Sequence, residues 1–232
     1  MYLSKEQISQ MIDLSAVRAE DDDQYIQSLV DCAQKYHCIA IYTLPSRIQL
    51  AKELLSDRND VILGGAVGFP SGGNTTAVKV FEAKELINLG CREIDMVINI
   101  SNLISGLNKE VQEDIHAVVE SANGIPVKVI LECHYLSDVL ILKACDMSIN
   151  AGAKWVKTST GWTPTGATSQ NVSLIRSHVG DTIGIKAAGG IRDLKKLIEL
   201  YRCGARRFGV GLTASIKILE QAFSLPGGKI EV

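Results

Sequence analysis

Eight short apolar runs, each followed by a longer segment of mixed polarity, constrain the fold of this chain more than any other feature. The runs occupy residues 11–14, 38–42, 61–67, 94–98, 127–132, 155–158, 183–187 and 207–210. They are rich in β-branched residues, as strands are. Between them apolar residues recur at helical spacing, as in the set Leu140, Ala144, Met147 and Ala151. Strands that alternate with helices indicate a parallel sheet covered by helices, so we predict an α/β protein.

The number of runs favours a closed barrel over an open sheet. Eight strands and their helices within 232 residues fit a (β/α)8 TIM barrel. No Pro- or Ser-rich linker divides the sequence, so we expect residues 1–232 to form a single domain. An open, doubly wound sheet remains the alternative, although no dinucleotide-binding fingerprint follows a predicted strand.

Charge and composition argue against several classes of partner. The formal net charge is −2 with acidic and basic residues interspersed, which disfavours nucleic acid or an anionic membrane. The amphipathic start of the chain contains Lys5 and Glu6, unlike a signal peptide, and no apolar stretch is long enough to span a bilayer. The six cysteines form no close pairs, so we expect reduced, mostly buried thiols in a cytoplasmic protein rather than a disulfide framework.

Three predicted strands carry a charged residue where barrel enzymes have their active sites: Asp95, Lys157 and Lys186. Burying such ions costs several kcal/mol each unless they pair or change protonation, so we expect them to meet for a chemical reason. A second cation favours the neutral, nucleophilic form of a lysine. We therefore assign Schiff-base formation to Lys157, tuning of its pKa to Lys186 and proton transfer to Asp95. The structural alternative is two lysines that reach solvent from strand ends, with Asp95 as a counter-ion.

Two glycine-rich stretches follow the last two predicted strands. Residues 188–193 read AGGIRD and residues 209–211 read GVG, at positions where many barrels bind phosphate through backbone N–H groups. We predict a phosphorylated substrate held there, with Arg192 assisting. The alternative is a pair of tight turns that need glycine for backbone reasons.

Taken together, these residues resemble the deoxyribose-phosphate aldolase family. The match is carried by residues 93–99 (EIDMVIN), 127–132 (VKVILE), 156–161 (VKTSTG) and 184–192 (GIKAAGGIR), with support from 68–70 (GFP) and 166–168 (GAT). The resemblance implies a class I aldolase, without metal or other cofactor, that interconverts 2-deoxyribose 5-phosphate with acetaldehyde and glyceraldehyde 3-phosphate. It also implies a role in deoxyribonucleotide catabolism and carbohydrate degradation, and a homodimer.

The resemblance also implies roles for further residues. Asp13 and Ser15 correspond to residues that support the second lysine, and Lys128 corresponds to a lysine of the same polar cluster; a purely structural Lys128–Asp13 ion pair is the alternative. The substrate-binding set that we expect consists of Gly161, Gly189, Gly190, Ile191, Arg192, Gly209 and Gly211. Trp162 and His134 lie at strand ends and either line the substrate pocket or have structural roles, with Trp162 packed on the barrel rim and His134 capping a turn.

The sequence departs from the family pattern at three places. Gly211 and Leu212 stand where the family usually has two phosphate-binding serines, and Tyr42 stands where it usually has a cysteine. Residues 227–232 lack the terminal tyrosine that some members use in proton transfer. Two other functions therefore stay open: a Schiff-base aldolase for a different or non-phosphorylated short sugar, and a sugar-phosphate-binding barrel without catalysis.

Overall fold

A computed structural model describes residues 2–56 and 60–232 of the chain. Within these ranges the strands are β1 (Tyr2–Ser4), β2 (Ile12–Ala16), β3 (Ala40–Thr43), β4 (Ile62–Val67), β5 (Glu93–Val97), β6 (Val127–Ile130), β7 (Trp155–Lys157), β8 (Gly184–Ala188), β9 (Arg207–Gly211) and β10 (Lys229–Glu231). The α-helices are α1 (Lys5–Ser9), α2 (Asp23–Tyr36), α3 (Ile48–Leu55), α4 (Thr76–Leu89), α5 (Ile100–Ile104), α6 (Asn108–Ser121), α7 (Asp138–Asn150), α8 (Ser169–Val179), α9 (Leu194–Arg202) and α10 (Leu212–Phe223). Short 3-10 helices cover Pro45–Arg47, Cys133–Tyr135 and Pro226–Gly228.

Strands β2 to β9 form a closed parallel barrel in sequence order. The barrel closes where β9 pairs with β2, with Asp13 opposite Gly209 and Ser15 opposite Gly211. Helices follow the strands and cover the outside, which confirms the predicted (β/α)8 TIM barrel. Each predicted strand overlaps one barrel strand, and their bounds differ by at most two residues at either end.

The helices bury one face against the barrel. In α7 the buried positions include Ala144 and Met147, which belong to the apolar set that the sequence indicated, whereas Leu140 of that set is only half-buried. Several helices begin at a side-chain cap; Thr168 accepts a hydrogen bond from the backbone N–H of Asn171 at the start of α8, for example. Such caps fix where the capped loops at the carboxyl end of the barrel enter their helices.

A second, two-stranded sheet lies outside the barrel, and the sequence did not indicate it. Strands β1 and β10 pair antiparallel, with Leu3 opposite Ile230. The apolar core of the described residues is continuous from Leu3 to Ala222. In residues 2–56 and 60–232, no helix combines the length and apolar character that crossing a membrane requires. The six cysteines are all free and five of them are buried, in agreement with the expected reduced thiols.

Candidate active site

Asp95 and two lysines form a buried ionic cluster inside the barrel. The Oδ2 atom of Asp95, on β5, lies 2.9 Å from Nζ of Lys157 on β7 and 2.7 Å from Nζ of Lys186 on β8. The two lysines are direct partners in the register between β7 and β8. Asp95 and Lys186 are buried almost completely, and Lys157 retains 7% of its accessible surface. The barrel thus brings together the three residues that the sequence predicted to meet.

Asp13 completes the ionic environment of Lys186. Its Oδ2 atom lies 2.6 Å from Nζ of Lys186, while its Oδ1 atom is held by Arg207, whose Nε lies 2.8 Å away. Ser15, the other residue expected to support this lysine, lines the cavity beside Lys157 and donates a hydrogen bond to the backbone carbonyl oxygen of Asp13 at 3.4 Å. The contact with Lys186 is therefore made by Asp13.

The pKa values of the two lysines are shifted in opposite directions. Burial lowers the pKa of Lys157; Asp95 opposes this shift, and the neighbouring charge of Lys186 reinforces it. Burial also disfavours the charge on Lys186, but Asp13 and Asp95 outweigh it and raise the pKa of Lys186. For Asp95, burial would raise the pKa, and the cations of Lys157, Lys186 and Lys128 hold it well below its usual range. The cluster therefore favours a charged Lys186 beside a Lys157 that gives up its proton more readily.

Lys128 belongs to an adjoining layer of the barrel interior. Its Nζ atom lies 2.5 Å from Oε2 of Glu93 and donates a hydrogen bond to the hydroxyl of Tyr42 at 2.6 Å. It lies 3.7 Å from Oδ1 of Asp95, and its closest carboxylate is that of Glu93 rather than that of Asp13. Arg207 reaches the same Oε2 atom of Glu93 at 2.9 Å, so one carboxylate joins two cations.

Tyr42 lies between this layer and the lysine pair. Its hydroxyl donates a hydrogen bond to Oε2 of Glu93 at 2.8 Å, and Nζ of Lys186 lies 4.0 Å from the centre of its ring. Burial, reinforced by Asp95, Asp13 and Glu93, raises the pKa of Tyr42 well above its usual value. The phenol therefore keeps its proton and offers the ring face to the ammonium group of Lys186.

A cavity of about 250 Å³ opens at the carboxyl end of the barrel and exposes the amine-bearing side chain of Lys157. Besides Lys157, seven predicted residues line it: Ser15, Gly161, Gly189, Gly190, Ile191, Gly209 and Gly211. Gly189 and Gly190 have positive φ angles of 82° and 74°, a conformation that L side chains rarely adopt. A side chain at Gly189 would also lie 2.9 Å from the Cα atom of Gly166, so glycine here meets a backbone requirement as well.

Arg192 is not among the residues that line this cavity, although the sequence suggested that it assists anion binding there. Its side chain is exposed after β8. The described residue that supplies a guanidinium group to the cavity is Arg18, in the loop after β2. The backbone N–H of Leu212, at the start of α10, donates its hydrogen bond to the hydroxyl of Tyr25 at 3.1 Å.

A second cavity, of about 580 Å³, lies next to the first and shares Thr160 with it. Trp162 lines this second cavity and donates a hydrogen bond from Nε1 to the carbonyl oxygen of Val17 at 2.9 Å. Its ring also contacts Phe69 edge to face, as the packing role left open by the sequence implies, and Trp162 is not among the described residues that line the cavity of Lys157. The Nδ1 atom of His134 lies 2.6 Å from the hydroxyl oxygen of Thr165, within the rim.

Four residues of this region were missed by reasoning from the sequence: Arg18, Glu93, Arg207 and, as a hydrogen-bonded member of the cluster, Tyr42. Glu93 could have been found, because it precedes Asp95 by two residues and strand alternation puts both on one face. Arg207 follows another arginine, and nothing in the sequence says which of the two points inward. In residues 2–56 and 60–232, no group of three or more His, Cys, Asp or Glu side chains is arranged to hold a metal ion.

A buried lysine that opens into a small cavity at the carboxyl end of a closed parallel barrel defines a class of protein, the barrel aldolases. These enzymes are lyases of carbon–carbon bonds. Comparison with known proteins gives the family within this class.

A model of the DeoC/LacD family of aldolases matches residues 8–212. A deoxyribose-phosphate aldolase of Klebsiella pneumoniae subsp. pneumoniae is 44% identical over 215 residues, covering 92% of this chain and 86% of that protein. A deoxyribose-phosphate aldolase of Staphylococcus epidermidis is 41% identical over 212 residues, covering 91% and 95% respectively. The solved structure of a tetrameric deoxyribose phosphate aldolase from Aeropyrum pernix matches with a TM-score of 0.84 and 29% identity, covering 96% of this chain and 94% of that one. The chain belongs to the DeoC/LacD family of aldolases.

Proposed function

We propose that this protein is a class I deoxyribose-phosphate aldolase, which cleaves 2-deoxyribose 5-phosphate to acetaldehyde and glyceraldehyde 3-phosphate through a Schiff base on Lys157. The observation that carries the proposal is Lys157, which lines the cavity with its Nζ atom 2.9 Å from Oδ2 of Asp95 and has Lys186 as its partner on the neighbouring strand. The relatives that bear this activity by name add independent support.

The reaction begins when the neutral amine of Lys157 attacks the aldehyde carbon of the open-chain sugar. Loss of water from the resulting carbinolamine leaves a protonated imine, which draws electrons from the C2–C3 bond as the C3 hydroxyl gives up its proton. Glyceraldehyde 3-phosphate departs, and the remaining enamine takes a proton at C2. Water then hydrolyses the imine, which releases acetaldehyde and returns the free amine.

We assign the proton transfers to Asp95 together with Lys186. The Oδ2 atom of Asp95 contacts the Nζ atoms of both lysines, whereas its buried Oδ1 atom has no hydrogen-bond partner among the described residues. Lys128, at 3.7 Å, is an ion-pair neighbour of Oδ1 beyond hydrogen-bond length. An acceptor oxygen is thus left for a proton or a water molecule within the cluster.

Reductive trapping tests the assignment of the nucleophile. Borohydride added with acetaldehyde reduces the imine to a stable secondary amine, and peptide mass mapping should find the ethyl group on Lys157. Lys157→Ala should keep its circular dichroism spectrum and lose both labelling and turnover. Labelling of Lys186 or Lys128 instead, or turnover by Lys157→Ala, would contradict the proposal. Labelling without sugar cleavage would indicate the barrel that binds sugar phosphates without catalysis.

One observation favours a second candidate, an aldolase for a sugar without a distal phosphate. Gly211 and Leu212 supply no side-chain hydroxyl, and the N–H of Leu212 is already hydrogen-bonded to Tyr25. Turnover of 2-deoxyribose 5-phosphate and of free 2-deoxyribose separates the two functions. We expect a strong preference for the phosphorylated sugar; equal values of kcat/KM would establish the second function.

We further propose that residues 1–232 act as one domain in a homodimer, in the cytoplasm and in deoxyribonucleotide catabolism. The free, buried cysteines support a reducing compartment. The tetrameric relative from Aeropyrum pernix supports association, as do exposed apolar side chains such as Phe81 and Val139. Light scattering tests the association, since a chain of 25.1 kDa that elutes as a monomer would contradict it.

A further inference from the structure

Arg18 lies at the mouth of the cavity that contains Lys157, in the loop between β2 and α2. Its Nη2 atom donates a hydrogen bond to the carbonyl oxygen of Gly161 at 2.5 Å, and its Cζ atom lies 5.4 Å from the centre of the Trp162 ring. Gly161 and Trp162 belong to the loop after β7, the strand that carries Lys157. Arg18 therefore bridges two loops that are 143 residues apart in sequence.

Two further hydrogen bonds hold the loop of Arg18 in this place. The indole Nε1 of Trp162 donates to the carbonyl oxygen of Val17 at 2.9 Å, and the backbone N–H of Arg18 donates to Oδ2 of Asp21 at 2.8 Å. The guanidinium group is thus positioned at the cavity by its own backbone as well as by its side chain. Such positioning reduces the side-chain entropy that binding a ligand costs.

The charges that line the cavity are few. Among the described lining residues, Arg18 and Lys157 are the cations and Asp21 is the acid. Lys157 is committed to the carbonyl carbon in the proposed reaction, which leaves Arg18 to meet a charge elsewhere on the substrate. A guanidinium group has five N–H donors in a planar fork that matches two oxygens of a phosphate. One of its donors is used by Gly161, and no other hydrogen bond joins this side chain to residues 2–56 or 60–232.

We propose that Arg18 determines substrate specificity by binding the distal anionic group of the substrate, a phosphate monoester. This inference rests on the proposed function. Arg18 takes over the part that side-chain hydroxyls at positions 211 and 212 would play, while Gly190 and Ile191 line the same cavity and can offer backbone N–H groups. The phosphate thereby anchors the sugar at one end while its aldehyde meets the amine of Lys157.

The test compares two substrates in matched variants. Arg18→Met removes the charge and keeps the length of the side chain, so kcat/KM for 2-deoxyribose 5-phosphate should fall on the order of 10- to 100-fold, mostly through KM. The same variant should cleave free 2-deoxyribose within about twofold of the wild-type rate, because that sugar has no phosphate to lose. Arg18→Lys keeps a charge without the planar fork, so its kcat/KM for 2-deoxyribose 5-phosphate should lie between those of the wild type and Arg18→Met.

Arg202→Met is the matched control. Its guanidinium group is exposed at the end of α9 and donates to the carbonyl oxygen of Glu231, at the opposite end of the barrel. The kcat/KM values for both substrates should be unchanged in this variant. An equal loss for both substrates in Arg18→Met would show that Arg18 only ties the two loops together, and it would overturn the proposal.

Inorganic phosphate gives a second measurement that does not depend on turnover. Calorimetric titration should show weaker phosphate binding for Arg18→Met than for the wild type, and unchanged binding for Arg192→Met. The reverse result would assign the anion to Arg192 and overturn the proposal. A wild type that binds phosphate through Arg18 but cleaves neither sugar would contradict the proposed function alone.

Discussion

The pKa values of Lys157 and Lys186 are shifted in opposite directions although the two residues are neighbours in adjacent strands, because their carboxylate partners are distributed unequally. Lys186 contacts Asp13 at 2.6 Å and Asp95 at 2.7 Å, whereas Lys157 contacts Asp95 alone, at 2.9 Å. Two carboxylates overcome the cost of burying the charge of Lys186, and one does not do so for Lys157. The nucleophile is therefore the lysine with fewer partners, and it is also the one that reaches the cavity.

Lys186→Leu tests this division. Removing the charge of Lys186 takes away an interaction that lowers the pKa of Lys157, and it leaves Lys157 as the cation in contact with Oδ2 of Asp95. Both changes raise the pKa of Lys157, so the acidic limb of the kcat/KM profile should move to higher pH. The rate at the new optimum should also fall, because the proton relay has lost a member. An acidic limb that stays in place would argue against electrostatic tuning by Lys186.

The sequence was sufficient to select Asp95, Lys157 and Lys186, because ions on apolar strands are rare enough to be conspicuous. It could not show that Arg207 lies beside Glu93 in the next layer. Arg207 lies at the start of β9, directly after Arg206, where a charged residue is equally expected at the end of a loop. The sequence also provided no indication of Arg18, which lines the cavity, whereas Arg192 of the glycine-rich motif is not among the described lining residues. Which loop bends over a barrel mouth depends on contacts between distant segments.

At the level of the elements, paired residues of β3 and β4 are complementary in side-chain size. Tyr42 pairs with Gly64 in the register of these strands, and a Cβ atom at Gly64 would lie 2.3 Å from the Tyr42 ring. The aromatic ring therefore occupies the space that a side chain at position 64 would need. The sequence shows both residues but not their pairing, which depends on the stagger between two strands.

A double-mutant cycle tests this pairing. Gly64→Ala alone should destabilise the protein by about 1–3 kcal/mol, because the ring of Tyr42 must move in a packed interior. In a Tyr42→Cys background the same substitution should cost much less, since the ring is gone. Urea unfolding gives the four free energies. Additive effects would mean that the two residues do not compete for space.

The positions of the eight barrel strands, in contrast, were predictable from the sequence. The eight apolar runs overlap β2 to β9 because a strand buried on both faces needs a nearly continuous apolar sequence. The outer pair β1 and β10 was not predictable, since each strand has only three residues, too few to show an apolar pattern. Such short strands are stabilised by pairing with each other, which their own sequences do not indicate.

For the molecule as a whole, the buried ionic layers predict sensitivity to acid. Neighbouring cations hold the pKa values of Asp13, Glu93 and Asp95 below their usual ranges although burial acts in the opposite direction. The unfolded chain takes up these protons near its ordinary carboxyl pKa values, at about pH 4, before the folded chain does. The stability from these groups is therefore present above that pH and is lost as the pH falls towards the folded-state values.

Urea unfolding at a series of pH values measures this effect. We expect the free energy of unfolding to fall steadily as the pH is lowered from about 5 to about 3. Glu93→Gln should show a shallower pH dependence, because one of the linked carboxylates is missing. A free energy of unfolding that does not change over this interval would contradict the linkage.

Closure of the barrel has a consequence for how such a protein can diverge. Because β7 and β8 are each hydrogen-bonded on both sides, a one-residue insertion within either strand would turn its lysine from the interior to the outer face. Evolutionary change within these strands is therefore restricted to substitutions. The loops bear no such restriction, and new preferences for substrate can arise there without disturbing the reacting groups.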